Sequence, residues 1–322
     1  MILSFLINSG RAIRNQGFDI VHGVGRSLAM NVFNPHGGVE KAYLAQEFRS
    51  IGNRSYRVYQ KMKRYLSLQH YLKVWIQRNQ VLGSDVKRII AISTMVKDDL
   101  IRCYGVPEPK ITVIVNCVDL KRFHPKHRDA YRAVKRKALD IDEGTLVLLF
   151  AGNNYRLKGL DPLLQALVLL RQRYQRKRMR LLVAGRGRIS RYERVAERLG
   201  LSGSVSFLGS VREMEQYYAT SDIYVHPTFY DPCSLTVLEA LASGLPVITT
   251  RFNGAADVMI SDRGGKVIDD PMDVVNLAES IALFIDEDRR REAGVVAREW
   301  MERYPPSRHV EELLRVYHEI AG

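Results

Sequence analysis

"TLVLLFAGNNYRLKGLDPLLQALVLLRQRY", residues 145–174, holds a strand, a loop and a helix in succession. "TLVLLFAG" (145–152) is a continuous apolar run that reads as a strand buried on both faces. "LDPLLQALVLLRQRY" reads as a helix, and the polar loop between them carries Arg156 and Lys158 at the helix start. The same alternation continues downstream. Strands are predicted at "RLLVAG" (180–185), "VSFLG" (205–209), "IYVHPT" (223–228), "PVITT" (246–250) and "GKVID" (265–269). Helices are predicted through "RYERVAERLG", "MEQYYATS" and a short segment from Ser234. Apolar strands alternating with helices make a parallel, doubly wound α/β sheet, whose ligands lie beyond the carboxyl ends of the strands.

The first half repeats this more sparsely. "FDIVHGV" (18–24), "RIIAIS" (88–93) and "ITVIVN" (111–116) are strand candidates, with a long helical region between the first two. "NCVDLKRFHP" (116–125) is polar, ends in proline and reads as a linker. "PPSRHVEELLRVYHEI" is a helix after a proline break, placed to pack back across the junction. The expected organisation is two Rossmann-like domains facing a cleft, 1–120 and 121–305, with 306–322 returning toward the first.

Composition bounds the function. A chain of 322 residues with 46% apolar and 9% aromatic content suits a globular protein of about two domains. Cys103, Cys117 and Cys233 lack CxxC spacing and read as buried thiols, not a zinc site or disulfide frame. The opening "MILSFLINSGRAI" is too short to span a membrane and no cleavage pattern follows it. The expected location is therefore cytoplasmic. The net charge of +14 suits nucleic acid, an anionic membrane or a phosphorylated substrate. No RNP, KH or helix-turn-helix signature accompanies it, which argues against nucleic acid. The charge is also uneven, with no acidic residue between Glu47 and Asp85.

A second stretch, "YDPCSLTVLEALASGLPV" (230–247), places Glu239 in a helix that is otherwise apolar. A buried carboxylate costs several kcal/mol unless it is paired or bound. Three groups converge on strand ends here: the loop "GNNYRLKG" (152–159), the turn "FLG" (207–209) and the helix start with the N–H groups of Cys233, Ser234 and Leu235. Two cations and an open helix end make a diphosphate site, and Glu239 would accept from a ribose diol beside it.

"ISTMVKDDLIRCYGVPEPKITVIVNCVDLKRFHP", "KGLDPLLQAL" and the span from Asp231 through "LEALASGLPVITT" resemble the retaining family 4 glycosyltransferases of the GT-B fold. The "NNYRLKGLDPLLQAL" loop is similar to the branch that glucosylates the lipopolysaccharide core on heptose. The resemblance implies transfer of a hexose, with retention, from a nucleotide-diphospho-sugar such as UDP-glucose to a cell-envelope glycolipid. It implies that Gly152, Arg156, Lys158, Leu208, Gly209, Ser234, Leu235 and Glu239 bind the donor. Arg156 and Lys158 would stabilise the departing diphosphate, and Asp231 would touch the donor sugar. It implies no metal and no cofactor. His22 and His36 are candidates for the acceptor side. His226 reads as a satisfied strand-end histidine.

The sequence departs from the family pattern in three places. Asp231 stands where Glu is usual, Cys117 replaces a linker glycine, and the chain opens after the family's first strand and glycine-rich loop. The first domain is therefore expected to be shortened at its N-terminus, through a wrong start or in a reduced, inactive protein. A sugar-nucleotide epimerase and an inactive nucleotide-sugar-binding protein are the alternatives. An epimerase would leave the basic segment 54–80 without a purpose. That segment combines Lys61, Lys63 and Arg64 with Tyr56, Tyr59, Tyr65, Tyr71 and Trp75. It suits the anionic cytoplasmic face of a membrane, giving a peripheral protein of envelope synthesis. Tyr65, Leu68, Leu72, Trp75 and Ile76 could instead form a stripe facing the core.

Overall fold

The computed structural model describes residues 2–14 and 16–322, which divide into two compact units, 1–116 with 306–322 and 117–305. The first unit contains α1 (Ile2–Arg14), β1 (His22–Gly23), β2 (Val32–Phe33), α2 (Glu40–Arg49), α3 (Arg54–Tyr65), α4 (Leu68–Leu82), β3 (Arg88–Ala91), α5 (Thr94–Tyr104) and β4 (Ile111–Val113). Its strands are all parallel in the order β1-β2-β3-β4.

Strand β2 was not expected from the sequence, and the strand predicted at 18–24 shrinks to two residues. A side chain explains the shortening. Asn31 accepts from the Val21 N–H (2.9 Å) and donates to the Asp19 carbonyl (2.6 Å), so an amide replaces ladder bonds just before β1. Helix α5 is capped by Ser93, whose Oγ accepts from Val96 N–H, and ends at Gly105 in the left-handed region.

Helix α3 buries none of its residues. The apolar stripe proposed for the core is mostly surface: Tyr65, Leu68 and Trp75 are exposed, while Ile76 is buried. The buried apolar cluster formed by α2 and the residues after it is small, Leu44, Phe48 and Ile51. The cysteines also differ from expectation, since only Cys233 is buried and Cys103 and Cys117 are half-buried.

The second unit contains α6 (His127–Ala138), β5 (Leu146–Ala151), α7 (Leu160–Arg173), β6 (Met179–Ala184), α8 (Ile189–Arg198), β7 (Val205–Gly209), α9 (Met214–Thr220), β8 (Ile223–His226), α10 (Leu235–Ala242), β9 (Val247–Thr250), β10 (Gly265–Ile268), α11 (Val274–Ala282) and α12 (Glu287–Glu302). Its sheet is parallel throughout, in the order β10-β9-β8-β5-β6-β7. Every residue of β5 is buried, as its continuous apolar run requires. From β5 the chain winds one way through β6 and β7, then restarts on the other side with β8. The gap between β5 and β8 is thus a topological switch point, where such sheets hold ligands.

Helix α13 (Pro306–Ala321) belongs to the first unit. Val316 and Ile320 pack on Val32, Ile90 and Ile114, and Arg88 pairs with Glu319 at 2.8 Å. Among the described residues no helix is long and apolar enough to cross a membrane.

Candidate functional site

The loops after β5 and β8 flank the switch point and are tied to each other. Phe229 N–H donates to the Leu157 carbonyl (2.8 Å), and Thr228 Oγ1 donates to the same oxygen (3.1 Å). Gly159 closes the first loop at φ 83°, and a Cβ there would lie 2.0 Å from the Pro227 carbonyl oxygen. Only glycine fits so close an approach. Gly152 gives room for the Lys158 stem, whose Cγ would stand 3.0 Å from an added Cβ.

These ties deliver Lys158 to Asp231. Lys158 Nζ donates to Asp231 Oδ2 at 2.6 Å and to the Tyr230 carbonyl at 3.3 Å. The Asp231 backbone is pinned on both sides, donating to Phe252 O (2.9 Å) and accepting from Gly254 N–H (2.8 Å). His226, at the end of β8, places Nε2 3.3 Å from the same Oδ2, at ion-pair distance but without hydrogen-bond alignment. Its ring is stacked between Phe150 and Tyr224. Burial alone would raise the Asp231 pKa, but the Lys158 ammonium and His226 hold it well below the usual carboxylate range. Burial lowers the pKa of His226 despite the carboxylate beside it. The sequence did not single out His226 as part of this group; its place at the end of a strand, shortly before Asp231, was the available signal.

Glu239 is not an orphan. Tyr218 Oη donates to its Oε2 at 2.8 Å and to the Thr236 carbonyl at 3.1 Å. Burial raises the Glu239 pKa, with the Tyr218 hydrogen bond and Arg122 opposing it. One oxygen is therefore held by protein, and the carboxylate is positioned rather than left unpaired. The helix start also differs from the open end expected. Ser234 N–H donates to Asn253 Oδ1 (3.2 Å), because the chain after β9 brings that amide under α10. Ser234 is thus the N-cap and its N–H is already used, leaving Leu235 as the first helical residue.

Leu208 and Gly209 end β7, and Gly209 accepts from Gly185 N–H at 2.7 Å. Asn153 Oδ1 accepts from Arg186 N–H at 2.9 Å, which brings the loop after β6 beside that after β5. Arg156 is half-buried within the 152–159 loop. The structure thus brings Gly152, Lys158 and Asp231 together at the ends of β5 and β8, with α10 and Glu239 following, while Arg156 lies on the same loop and interacts with Tyr192 of α8. His22 and His36 lie in the first unit. His22 Nδ1 is 2.6 Å from Tyr317 Oη, and burial with the neighbouring His36 lowers its pKa. Burial and His309 lower that of His36. Among the described residues no group of three His, Cys, Asp or Glu side chains is placed to hold a metal ion.

The profile "Glycosyl transferases group 1" matches residues 132–300, just over half of the chain. "Glycosyltransferase Family 4" matches residues 1–122. A D-inositol 3-phosphate glycosyltransferase of Catenulispora acidiphila is 30% identical over 63% of this chain and 49% of its own length. The lipopolysaccharide glucosyltransferase WaaG of Escherichia coli is 30% identical over 46% of this chain and 39% of its own. The chain spans about half the length of the curated relatives it matches. The crystal structure of WaaG superimposes with a TM-score of 0.76 at 21% identity, covering 91% of this chain and 76% of that one. Anabaena HepE in complex with UDP-glucose does so at 0.72 and 14% identity, covering 99% and 82%. The fold is the two-unit parallel α/β arrangement of the GT-B type, and the chain belongs to the group 1 glycosyl transferases.

Proposed function

We propose that this protein transfers a hexose, with retention, from a nucleotide-diphospho-sugar to a cell-envelope glycolipid. The observation that carries the proposal is the Lys158–Asp231 pair at the switch point of the second sheet, with Glu239 held on the helix that follows and Arg156 on the Lys158 loop. The donor diphosphate would lie by Arg156 and Lys158, with Leu208 and Gly209 along the base and Glu239 accepting from the ribose. The backbone at Leu235 would face the phosphate or sugar.

Lys158 then has two anions within its reach. As the donor bond breaks, negative charge grows on the leaving phosphate, and the ammonium shifts its hydrogen bonding from Asp231 toward it. Interactions that strengthen only as that charge develops are the ones that lower the barrier. Asp231 would meet the donor sugar at the same time. The acceptor hydroxyl attacks the anomeric carbon from the leaving-group face and passes its proton to the departing phosphate oxygen. UDP-glucose is the proposed donor, supported by the UDP-glucose complex of a protein that shares the fold.

The acceptor proposed is the lipopolysaccharide core, supported by the glucosyltransferase relative and by the surface of α3 and α4. Tyr56, Tyr59, Met62, Leu66, Leu68 and Trp75 are exposed there, as are Lys61 and Lys63. Aromatic and basic residues together suit an anionic leaflet, at about 1 kcal/mol per cation near the surface. His22 and His36 would line the acceptor side. A phosphorylated polyol acceptor is the second reading, favoured by the inositol-phosphate enzymes among the relatives.

Calorimetry with UDP, with and without EDTA, tests the donor site. Binding that persists in chelator is expected; binding abolished by chelator would overturn the metal-free site. Product analysis with each acceptor and UDP-glucose decides between the two acceptor readings.

A further inference from the structure

The amino ends of the second unit's strands hold another buried carboxylate, and its surroundings are not balanced in charge. Asp222, directly before β8, has a side chain 1% exposed and accepts from Arg128 (3.0 Å), Arg132 (2.8 Å) and Arg136 (2.8 Å). It also accepts from Val147 N–H at 2.8 Å, and Arg290 Nε stands 3.8 Å away. One negative charge thus faces four guanidiniums. Their remaining donors go to carbonyls: Arg128 to Ser221, Arg132 to Thr220, Arg136 to Glu143 and Thr145. Carbonyl dipoles soften the excess but carry no net charge. Burial and the neighbouring Arg132 pull the Arg128 pKa below its ordinary value, and burial lowers that of Arg136.

Beside this cluster, wholly within the second unit, lies a cavity of about 820 Å³. Arg128, Arg132, Arg290, Arg298, Arg291 and Lys177 line it. Two acids in the lining are already engaged, since Glu302 accepts from Arg298 and Glu287 from Arg291. Glu143 and Glu299 are exposed, as is Arg291, so solvent screens the rim of both signs and the excess lies at the inner guanidiniums around Asp222. A buried ionic cluster gives little stability over an apolar one of the same volume, and an excess of one sign is costlier still. Guanidiniums around a chamber within the size range of small-molecule sites offer forked donors matched to phosphate oxygens.

We infer that this cavity binds a compact multivalent anion of the phosphate class, at the ends of the strands opposite the proposed donor site. The excess positive charge around Asp222 makes the site, and the occupant completes its neutralisation. Lys177 and Arg291 would close over the ligand from the far wall. Neither is needed for the Asp222 network.

Calorimetry with pyrophosphate at low ionic strength tests this on the full chain in three forms: wild type, Lys177→Gln with Arg291→Gln, and Arg156→Ala with Lys158→Ala. The expected result is binding to the wild type and to the third form, weakened about tenfold or more in the second. The reverse pattern, loss only in the third form, would place pyrophosphate at the donor site and overturn the inference while supporting the donor reading. Equal affinity in all three forms, or none in any, also overturns it. Vesicles rich in phosphatidic acid, whose phosphomonoester carries more than one charge, identify the source. If the second form loses vesicle binding together with pyrophosphate binding, the occupant is a lipid headgroup. If it loses pyrophosphate binding alone, the occupant is a free anion.

Discussion

Strand β8 carries a carboxylate beyond each end, the first buried and the second half-buried. Asp222 precedes it and Asp231 follows it, yet the two are held in opposite ways. Asp222 is wrapped by guanidiniums from α6 and α12 and by a backbone N–H of the neighbouring strand, so every partner is fixed to the frame of the fold. Asp231 meets a single flexible ammonium and a histidine that does not align with it. Both carboxylates are pushed below their ordinary pKa against the raising effect of burial. At Asp222 the cause is a crowd of cations; at Asp231 it is mainly one lysine. An over-determined carboxylate holds a structure together, whereas one with a single movable partner can exchange it for a ligand.

The sharpest way to break this comparison is at the more crowded end. Asp222→Ala leaves several buried guanidiniums facing one another and should lower stability by about 3–5 kcal/mol. Urea denaturation measures it, and a loss below about 1 kcal/mol would show that the cluster is not structural. At the other end, Lys158→Ala should reduce turnover by roughly 10²–10³ with a smaller change in donor affinity. Kinetics at saturating and limiting UDP-glucose separate the two, and wild-type turnover would remove Lys158 from the chemistry.

The pH dependence sharpens the same contrast. A carboxylate depressed in the folded state stabilises above its unfolded pKa of about 4, and that stability is lost as pH falls further. His226, also depressed, adds a loss that begins as pH drops below about 6.5. Thermal melts between pH 7 and 3 should therefore show a steep acid limb. Asp231→Asn should flatten part of it and leave the Asp222 contribution in place. An unchanged profile would mean that the Lys158 pair contributes nothing to folding.

Glu239 has the opposite sign. Its raised pKa means that the ionised form opposes folding, so stability is greatest below the unfolded value and declines as pH rises through the folded one. Glu239→Gln should accordingly keep or slightly raise the melting temperature at neutral pH while weakening UDP binding. A lowered melting temperature with unaltered binding would reverse the assignment. The smallest effect on folding is expected on α3. Lys61, Lys63 and Arg64 changed to Glu should shift stability by little, about 0.5 kcal/mol per site. The change at Arg64 also breaks its 3.0 Å pair with Glu47. Sedimentation with phosphatidylglycerol vesicles should nonetheless show binding lost, and retained binding would separate this surface from the membrane.

The sequence by itself determined the alternation of strands and helices in the second unit, because each element's burial is written in its own apolar pattern. It also determined where polar residues interrupt that pattern: Arg156 and Lys158 after one strand, Asp231 after another, and Glu239 within a helix. Only the tertiary structure decided their partners. The sheet order sets β8 against β5, and that neighbourhood alone delivers Lys158 to Asp231 and places His226 beside them. Tyr218 reaches Glu239 from α9, and Asn253 takes the Ser234 N–H from beyond β9, through contacts that no local period encodes. The same holds for β2, whose two residues are too few to show a pattern and become a strand only by pairing with β1 and β3. Helix α6 was not anticipated from the sequence. Its arginines surround Asp222 because packing against α9 brings their guanidiniums to the start of β8.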